Sequence, residues 1–455
     1  MNLSTQNAGL TQVLTRRALS LRREDLPPEV DTLARQCLLD VLGVTIAGHD
    51  DAISELMLAD MQAQGGPAQA TVLGGGQQLG IRQAALVNGC AAHALDFDDV
   101  NLSINGHPSA VILPPLLALG EYLDASGEAL MMAFISGYEF ACRAGVLVEP
   151  GHYARGYHAT SSVGVLGVAL ACSRLLGLDE MQSRHAVGIA ATQAAGLKGM
   201  FGTPCKPLHV GLAARNGLEA ALWASQGLTS RTDVLECTQG FARTLSPDFH
   251  EDQALADPER FYMRENLFKY HAACYGTHSA IECALQLLSE HKLLAHDIES
   301  VLIRVERVAD STCNIADPKT SAQAKFSLRY ATSLAFLGLD TASIDNFGQT
   351  QLALPELQRL RANTTVELVD GWGVMETEVH AITRDGRLLK AWADTGIAST
   401  HIARQGDRLA AKFSSLTTDH LGVQGSLALA DAVQRIETVS VRQLVAKCIT
   451  RKGAR

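Results

Sequence analysis

Several features that define common protein classes are missing from this chain of 455 residues. None of its ten cysteines forms a C-x-x-C pair, so the spacing of a zinc knuckle or an iron–sulfur site is absent. Lysine and arginine form no dense basic block and the net charge is −10, which excludes a nucleic-acid-binding class. The glycine-rich stretch TVLGGGQQLG lacks the G-x-G-x-x-G order of a dinucleotide site.

Long apolar runs are missing as well. The longest charge-free apolar segment, ATSSVGVLGVALACS at 159–173, is shorter than the roughly 20 residues that a bilayer-spanning helix needs. The N-terminal residues contain no continuous apolar stretch of the kind found in secretion signals. We therefore expect no membrane partner, a cytoplasmic location and cysteines that remain free thiols.

The composition that is present predicts a large buried core. Hydrophobic residues make up 47% of the chain and charged residues 19%, and the length favours two domains. Apolar residues recur at helical spacing in the first part of the chain, whereas strand-like alternation begins near residue 295. We predict a mainly α fold: a helical domain over 1–265, a smaller α+β domain over 266–396, and C-terminal helices over 397–455 that complete the helical domain.

Three local patterns support the α+β assignment. Val301, Ile303 and Val305 alternate with polar residues and predict a strand. Asp385-Gly386 lies between two strand-like runs and predicts a hairpin. The stretch SAQAKFSLRYATSLAFLG at 321–338 predicts one amphipathic helix. In the helical part, many alanine, glycine and serine residues predict closely packed helices.

Titratable residues concentrate in a few short segments that adjoin apolar sequence. The segment HALDFDDVNLSINGHPSAVILPP at 93–115 contains three aspartates and two histidines before a proline-containing apolar run. Similar clusters occur in GHYARGYHATSS, GTPCKPLHVGLAARNG, FKYHAACYGTHSAIE and AKFSLRYA. Because each cluster adjoins small or apolar residues, its side chains are candidates for the lining of a pocket.

Each of these residues also has a purely structural interpretation. A single histidine beside an apolar run is more often a hydrogen-bonded structural residue than a catalyst. Asp98 and Asp99 could cap a following helix. Cys205 and Cys274 could be small core residues, since neither lies in a recognisable cysteine–histidine motif. The acidic cluster without a second group of ligands is weak evidence for Mg²⁺, and we predict no metal site.

Taken together, these segments resemble the MmgE/PrpD family, and the resemblance covers nearly the whole chain. It rests on VNGCAAHALDFDDV, GHPSAVILPPLLALGE, YHATSSVGVLGVALA, KPLHVGLAARNG, KYHAACYGTHSAIE and DPKTSAQAKFSLRYA, in the order of the family. Members include 2-methylcitrate dehydratase, cis-aconitate decarboxylase and iminodisuccinate epimerase. The resemblance implies a large helical domain, a smaller α+β lid domain, a homodimer, and no metal or organic cofactor.

The resemblance also implies roles for individual residues. Its catalytic residues match Asp96, His107, His158, Lys206 and Tyr330, and its substrate-binding residues match His209, Lys269 and Cys274. Two departures concern the lid motif and the loop at 397–407. Cys274 replaces a histidine of the decarboxylases, and the loop lacks the usual Asn-Pro pair.

Removing a proton next to a carboxylate builds negative charge on an anionic group, so the pocket must supply cations and hydrogen-bond donors. Lys206, Lys269 and His158 suit that purpose, and His107 is the best candidate for the general base or acid, with Asp96 expected to set its tautomer. We expect a lyase resembling 2-methylcitrate dehydratase that acts on a small anionic polycarboxylate. Alternatives are an iminodisuccinate-type epimerase, a cis-aconitate-type decarboxylase and, least favoured, a carboxylate-binding protein without activity.

Overall fold

The computed structural model describes residues 8–450. Its N-terminal part consists mainly of helices, as the spacing of apolar residues predicts. They are α1 (Leu10–Ser20), α2 (Pro28–Gly48), α3 (Ala52–Gln64), α4 (Ile81–Ala94), α5 (Pro108–Leu123), α6 (Gly127–Val148), α7 (Gly151–Ala154), α8 (Ala159–Ser162), α9 (Gly164–Leu175), α10 (Glu180–Ala191), α11 (Cys205–Ser225), α12 (Phe241–Leu245) and α13 (Glu251–Leu255). Between α3 and α4 lies an antiparallel pair, β1 (Ala70–Thr71) and β2 (Gln78–Leu79).

Small residues bring these helices close together, as predicted. Helices α6 and α9 cross where a Cβ added to Gly137 would lie 2.6 Å from the carbonyl oxygen of Gly167. Helix α6 is long and apolar enough to cross a bilayer, although the sequence analysis did not identify it among the apolar runs. However, 94% of its most apolar window is buried inside this structure, so packing in the core accounts for its composition.

The C-terminal part adds a four-stranded mixed sheet, and the coarse prediction of a mainly helical fold with an α+β region is confirmed. Its elements are α14 (His278–His291), β3 (Ile298–Glu306), α15 (Asp310–Cys313), α16 (Ser321–Ala324), α17 (Leu328–Phe336), α18 (Gln349–Leu352), α19 (Pro355–Ala362), β4 (Thr364–Val369), β5 (Glu376–Thr383) and β6 (Leu388–Asp394). The strand order is β4-β3-β5-β6, with β4 parallel to β3 and the other pairs antiparallel. Val301, Ile303 and Val305 are buried and Asp385-Gly386 forms the β5–β6 turn, as predicted.

The expected single helix over 321–338 is wrong in one respect, because two helices replace it. Helix α16 ends at Ala324, and α17 starts after Ser327, whose hydroxyl accepts a hydrogen bond from the backbone N–H of Tyr330. The break leaves Lys325 and Phe326 between the helices, and both side chains reach the candidate site described below.

The end of the chain returns to the helical part. Helix α20 (Ile402–Gln434), which is kinked at Gly422 (φ 72°), packs along α2, and α21 (Val441–Val445) packs against α5. Leu409 and Phe413 of α20 are buried in the core of the helical part, whereas the sheet and α14 enclose a second core. The candidate site lies where these two parts meet.

Candidate active site

Four helix ends meet at a cavity of about 640 Å³ between the helical part and the C-terminal part. The end of α4 leads into the loop that carries Asp96. His107 immediately precedes α5, His158 immediately precedes α8, and Lys206 lies in the first turn of α11. Lys269 comes from the segment that leads to α14. All five residues line the cavity.

The floor of the cavity is an aspartate held between two lysines. Asp96 Oδ1 lies 2.6 Å from Lys206 Nζ and 3.0 Å from Lys269 Nζ, and all three side chains are buried. Burial alone would raise the pKa of Asp96, but the two ammonium groups outweigh this effect and hold the pKa well below its usual range. Asp96 is therefore an ionised carboxylate at neutral pH, and two buried cations face the cavity beside it.

A second aspartate, rather than Asp96, orients His107. His107 Nδ1 lies 3.1 Å from Asp98 Oδ2, while His107 Nε2 is 3.9 Å from Asp96 Oδ1. Asp98 also faces His93, whose Nδ1 is 2.8 Å from Oδ2. The expectation that Asp96 sets the tautomer of His107 is thus wrong, because Asp96 is occupied by the two lysines. The capping interpretation of Asp98 is wrong too, since both of its carboxylate oxygens face imidazoles.

Burial keeps the imidazoles of the site neutral. It lowers the pKa of His93 to about 4 and lowers the pKa of His107, although Asp98 opposes the shift in both cases. Burial, with His93 and Lys206 nearby, holds the pKa of His158 well below its usual range. The free protein at neutral pH therefore has neutral histidines beside ionised carboxylates and lysines.

The loop that carries His107 is packed against the residues after His158. A Cβ added to Gly106 would lie 2.8 Å from the backbone nitrogen of Thr160, so glycine is required there. The Thr160 hydroxyl accepts a hydrogen bond from the His107 backbone N–H. His158 Nδ1 lies 3.3 Å from Nδ1 of His209, which stands behind His158 and outside the cavity lining.

The C-terminal part forms the opposite wall. Cys274 lines the cavity beside Cys313, and a hydrogen bond with Cys313 lowers the pKa of the Cys274 thiol. Phe326 also lines the cavity, with the Lys206 ammonium 4.9 Å from its ring centroid. Tyr330 does not reach this wall: its buried hydroxyl donates to the carbonyl oxygen of Asn346 at 2.9 Å. The structure thus brings Phe326 to the cavity where the resemblance implies Tyr330.

Two atoms of the lining are available to a ligand. Of the described lining atoms, Asp96 Oδ2, His107 Nδ1 and His158 Nε2 are buried and form no hydrogen bond. His107 Nδ1 faces Asp98 Oδ2 at 3.1 Å, which leaves the other two for a ligand. Buried polar atoms are normally hydrogen-bonded, so a water molecule or a ligand group is expected to supply the missing partners.

Comparisons with known proteins assign the chain to a family. The MmgE/PrpD N-terminal domain matches residues 12–253, and the MmgE/PrpD C-terminal domain matches residues 271–438. This chain belongs to the MmgE/PrpD family. Two similar curated proteins are the cis-aconitate decarboxylases of Homo sapiens and Mus musculus. Each is 28% identical to 80% of this chain, and the matches cover 78% and 77% of the relatives. The cis-aconitate decarboxylase of Aspergillus terreus is 28% identical over 68% of this chain and 67% of its own length.

Sequence reasoning missed several residues of this MmgE/PrpD site. His93 and Asp98 lie in the quoted 93–115 segment, but nothing in their spacing shows that Asp98 bridges two imidazoles. Lys325 and Lys412 also reach the loop of Asp96, by donating to the Leu95 and Phe97 carbonyl oxygens. A signal existed for these two lysines, because each lies in an A-K-F-S tetrapeptide within apolar sequence.

One group of side chains has the composition of a metal site. Ligand atoms of His93, Asp96, Asp98 and His107 lie within 4.8 Å of one another. However, two ammonium groups lie within 3.0 Å of Asp96 Oδ1, and a divalent cation beside them would be repelled. The donor set therefore fits an ion-pair network better than a cation site.

Proposed function

We propose that this MmgE/PrpD enzyme is a cofactor-independent lyase that decarboxylates a small unsaturated tricarboxylic acid of the cis-aconitate type. The observation that carries the proposal is the pair of buried ammonium groups of Lys206 and Lys269 in the cavity wall, next to the His107 imidazole. The curated relatives named above are cis-aconitate decarboxylases.

The cavity suits a compact polyanion. Its volume of about 640 Å³ is ample for a six-carbon acid, and Lys198 lines it in addition to Lys206 and Lys269. Carboxylates of the substrate would accept hydrogen bonds from these lysines and displace part of their interaction with Asp96. Since Lys206 and Lys269 also contact Asp96, its carboxylate holds both side chains in place before substrate arrives.

Decarboxylation requires charge stabilisation and one proton. Loss of CO₂ leaves an electron pair that spreads over the adjacent double bond and carboxylate, and a proton then forms the new C–H bond. Thus a trianion and one proton give a dianion and CO₂. The lysine ammonium groups stabilise the charge that develops.

We assign the proton to Nε2 of His107, because Asp98 faces the other ring nitrogen. His107 is neutral in the free enzyme, and a bound trianion favours its protonated form. Binding of substrate would therefore load the acid with its proton.

Dehydration of a 2-methylcitrate-like acid, the reaction favoured from the sequence, is less well supported because the relatives reported above are decarboxylases. Cys274 departs from the decarboxylase pattern, yet its thiol lines the cavity at that position and retains a polar S–H group there. The lid movement of 266–396 and the homodimer remain predictions.

The test is incubation in D₂O with cis-aconitate, 2-methylcitrate and iminodisuccinate separately, followed by proton and carbon NMR. We expect CO₂ release from cis-aconitate and one deuterium in the product. The Asp98→Asn variant is purified in parallel as a control. Activity that this variant shares with the wild type would come from contaminating enzymes. Loss of water from 2-methylcitrate, or exchange with inversion of iminodisuccinate, in the absence of CO₂ release would refute the proposal, as would no reaction with any of the three.

A further inference from the structure

The loop that carries Asp96 is held by three buried lysines on three consecutive backbone carbonyls. Lys325 Nζ donates to the Leu95 oxygen at 2.7 Å, and Lys269 Nζ donates to the Asp96 oxygen at 2.8 Å. Lys412 Nζ donates to the Phe97 oxygen. The three lysines, which we call the lysine clamp, are each no more than 7% exposed.

The members of the clamp are connected to one another. Lys412 also donates to the backbone oxygen of Lys269 at 3.0 Å, and its ammonium lies 2.6 Å from the Asp40 carboxylate of α2. The backbone N–H of Cys274 donates to the Lys325 oxygen at 2.8 Å. The clamp therefore ties the aspartate loop to the two segments that supply the opposite wall of the cavity.

The conformation of the loop explains why it needs such support. Asp96 has φ of 50°, a left-handed conformation that residues other than glycine seldom adopt. The loop also follows the last turn of α4, where carbonyl groups have no partner within the helix. Ammonium groups are strong donors to such buried carbonyls. Removing one donor would free the loop to leave this conformation.

The backbone path of the loop determines where the carboxylates of Asp96 and Asp98 point, and each carboxylate forms one of the two ion-pair systems of the site. Asp96 must face Lys206 and Lys269, and two residues later Asp98 must face His93 and His107. A rotation of the backbone at Phe97 would misdirect both carboxylates together.

We propose that Lys325 and Lys412 are positioning residues of the active site. They act through the Leu95 and Phe97 carbonyls and hold Asp96 and Asp98 in their working directions, without contacting substrate. Lys325 belongs to the C-terminal part, whereas Lys412 lies on α20 of the helical part. Through Lys325, the geometry of the loop that carries Asp96 depends on correct docking of the C-terminal part onto the helical part.

The cleaner test is Lys325→Met, because Lys325 donates to a carbonyl and its replacement leaves no buried carboxylate without a partner. The exposed Lys319, six residues earlier, provides the matched control Lys319→Met. We expect kcat of Lys325→Met to fall about 10²-fold, the usual cost of displacing a catalytic group by about 1 Å, with KM changed much less. Hydrogen–deuterium exchange, read by mass spectrometry, should increase in peptides that cover 93–100 and stay unchanged in the rest of the protein.

For Lys412 we choose the double variant Asp40→Asn with Lys412→Met, which removes both members of the buried ion pair. It should show the same local increase in exchange and the same fall in kcat. Wild-type kcat together with wild-type exchange at 93–100 in both variants would overturn the proposal. So would a rise in exchange throughout the protein with full activity per folded molecule. The kinetic arm rests on the proposed decarboxylation, whereas the exchange arm needs no substrate, so failures of the two proposals can be told apart.

Discussion

Replacing Asp98 with asparagine tests how the site sets the state of its histidines. The Asp98 carboxylate faces Nδ1 of both His93 and His107, and it can accept a hydrogen bond from each. The asparagine amide has one oxygen and one NH₂ group. It can therefore accept a hydrogen bond from one imidazole, but it presents an N–H donor to the N–H of the other. One histidine must then move its proton to Nε2 or turn away.

The expected fall in kcat follows from that loss of tautomer control. A positioned general acid or base contributes roughly 10²–10⁴-fold to turnover, and a histidine held in the wrong tautomer loses most of it. We therefore expect kcat to fall about 10²–10⁴-fold, which corresponds to about 3–5 kcal/mol of transition-state stabilisation. KM should change little, because Lys206 and Lys269 keep their partner Asp96.

Asp99→Asn is the matched control at the next residue. Asp99 accepts a hydrogen bond from the Ser109 hydroxyl, and burial raises its pKa to about 7 even though Ser109 opposes the shift. A large fraction of Asp99 is thus already protonated at neutral pH, and an amide resembles that form. Turnover should stay close to that of the wild type.

The assay measures CO₂ release from cis-aconitate, with melting temperature and circular dichroism on the same preparations. Proton NMR of the imidazoles should show a changed tautomer only in the Asp98→Asn variant. Equal turnover of Asp98→Asn and Asp99→Asn at equal folded fraction would refute the assignment of Asp98 as the orienting group of His107.

Four further predictions concern other groups. Lys206→Met should raise KM because a carboxylate anchor is lost, and it should lower kcat because the ammonium group no longer stabilises the charge that develops; steady-state kinetics in which only kcat falls would contradict this. Tyr330→Phe should cost about 1 kcal/mol of stability in a denaturation curve and leave turnover per folded molecule unchanged, because the hydroxyl only donates to Asn346. Activity should survive dialysis against EDTA, and a loss restored by a divalent cation would show the opposite. Burial holds the pKa of His107 below its usual value of about 6.5, so kcat/KM should keep rising as the pH falls through about 6.5. A plateau of kcat/KM that begins above this pH would count against His107 as the acid.

Local patterns predicted much of the secondary structure. The alternation at Val301, Ile303 and Val305 and the Asp385-Gly386 turn reflect only the neighbouring residues, so they are readable without knowledge of the fold. The helical spacing of apolar residues and the small residues of α6 and α9 are likewise local patterns that can be read without knowledge of the fold. The break between α16 and α17 escaped prediction, because the buried position of Lys325 and Phe326 depends on the loop that they contact.

The sequence by itself also indicated which residues line the candidate site. Asp96, His107, His158, Lys206, Lys269 and Cys274 come together at one cavity, as their unusual placement beside apolar sequence suggests. His209 stands behind His158, and Tyr330 turns into the core of the C-terminal part, where Asn346 accepts its hydrogen bond.

Only the tertiary structure decided how these residues are paired. Which aspartate faces His107 depends on the backbone turn at Asp96, where φ is 50°. That turn in turn depends on donors that lie 230 and 315 residues away along the chain, Lys325 and Lys412. Sequence spacing determines which side chains share a helix face. Contacts between residues hundreds of positions apart arise instead from the packing of whole elements. The lysine clamp and the Asp98–His107 pair therefore became visible only in the folded chain.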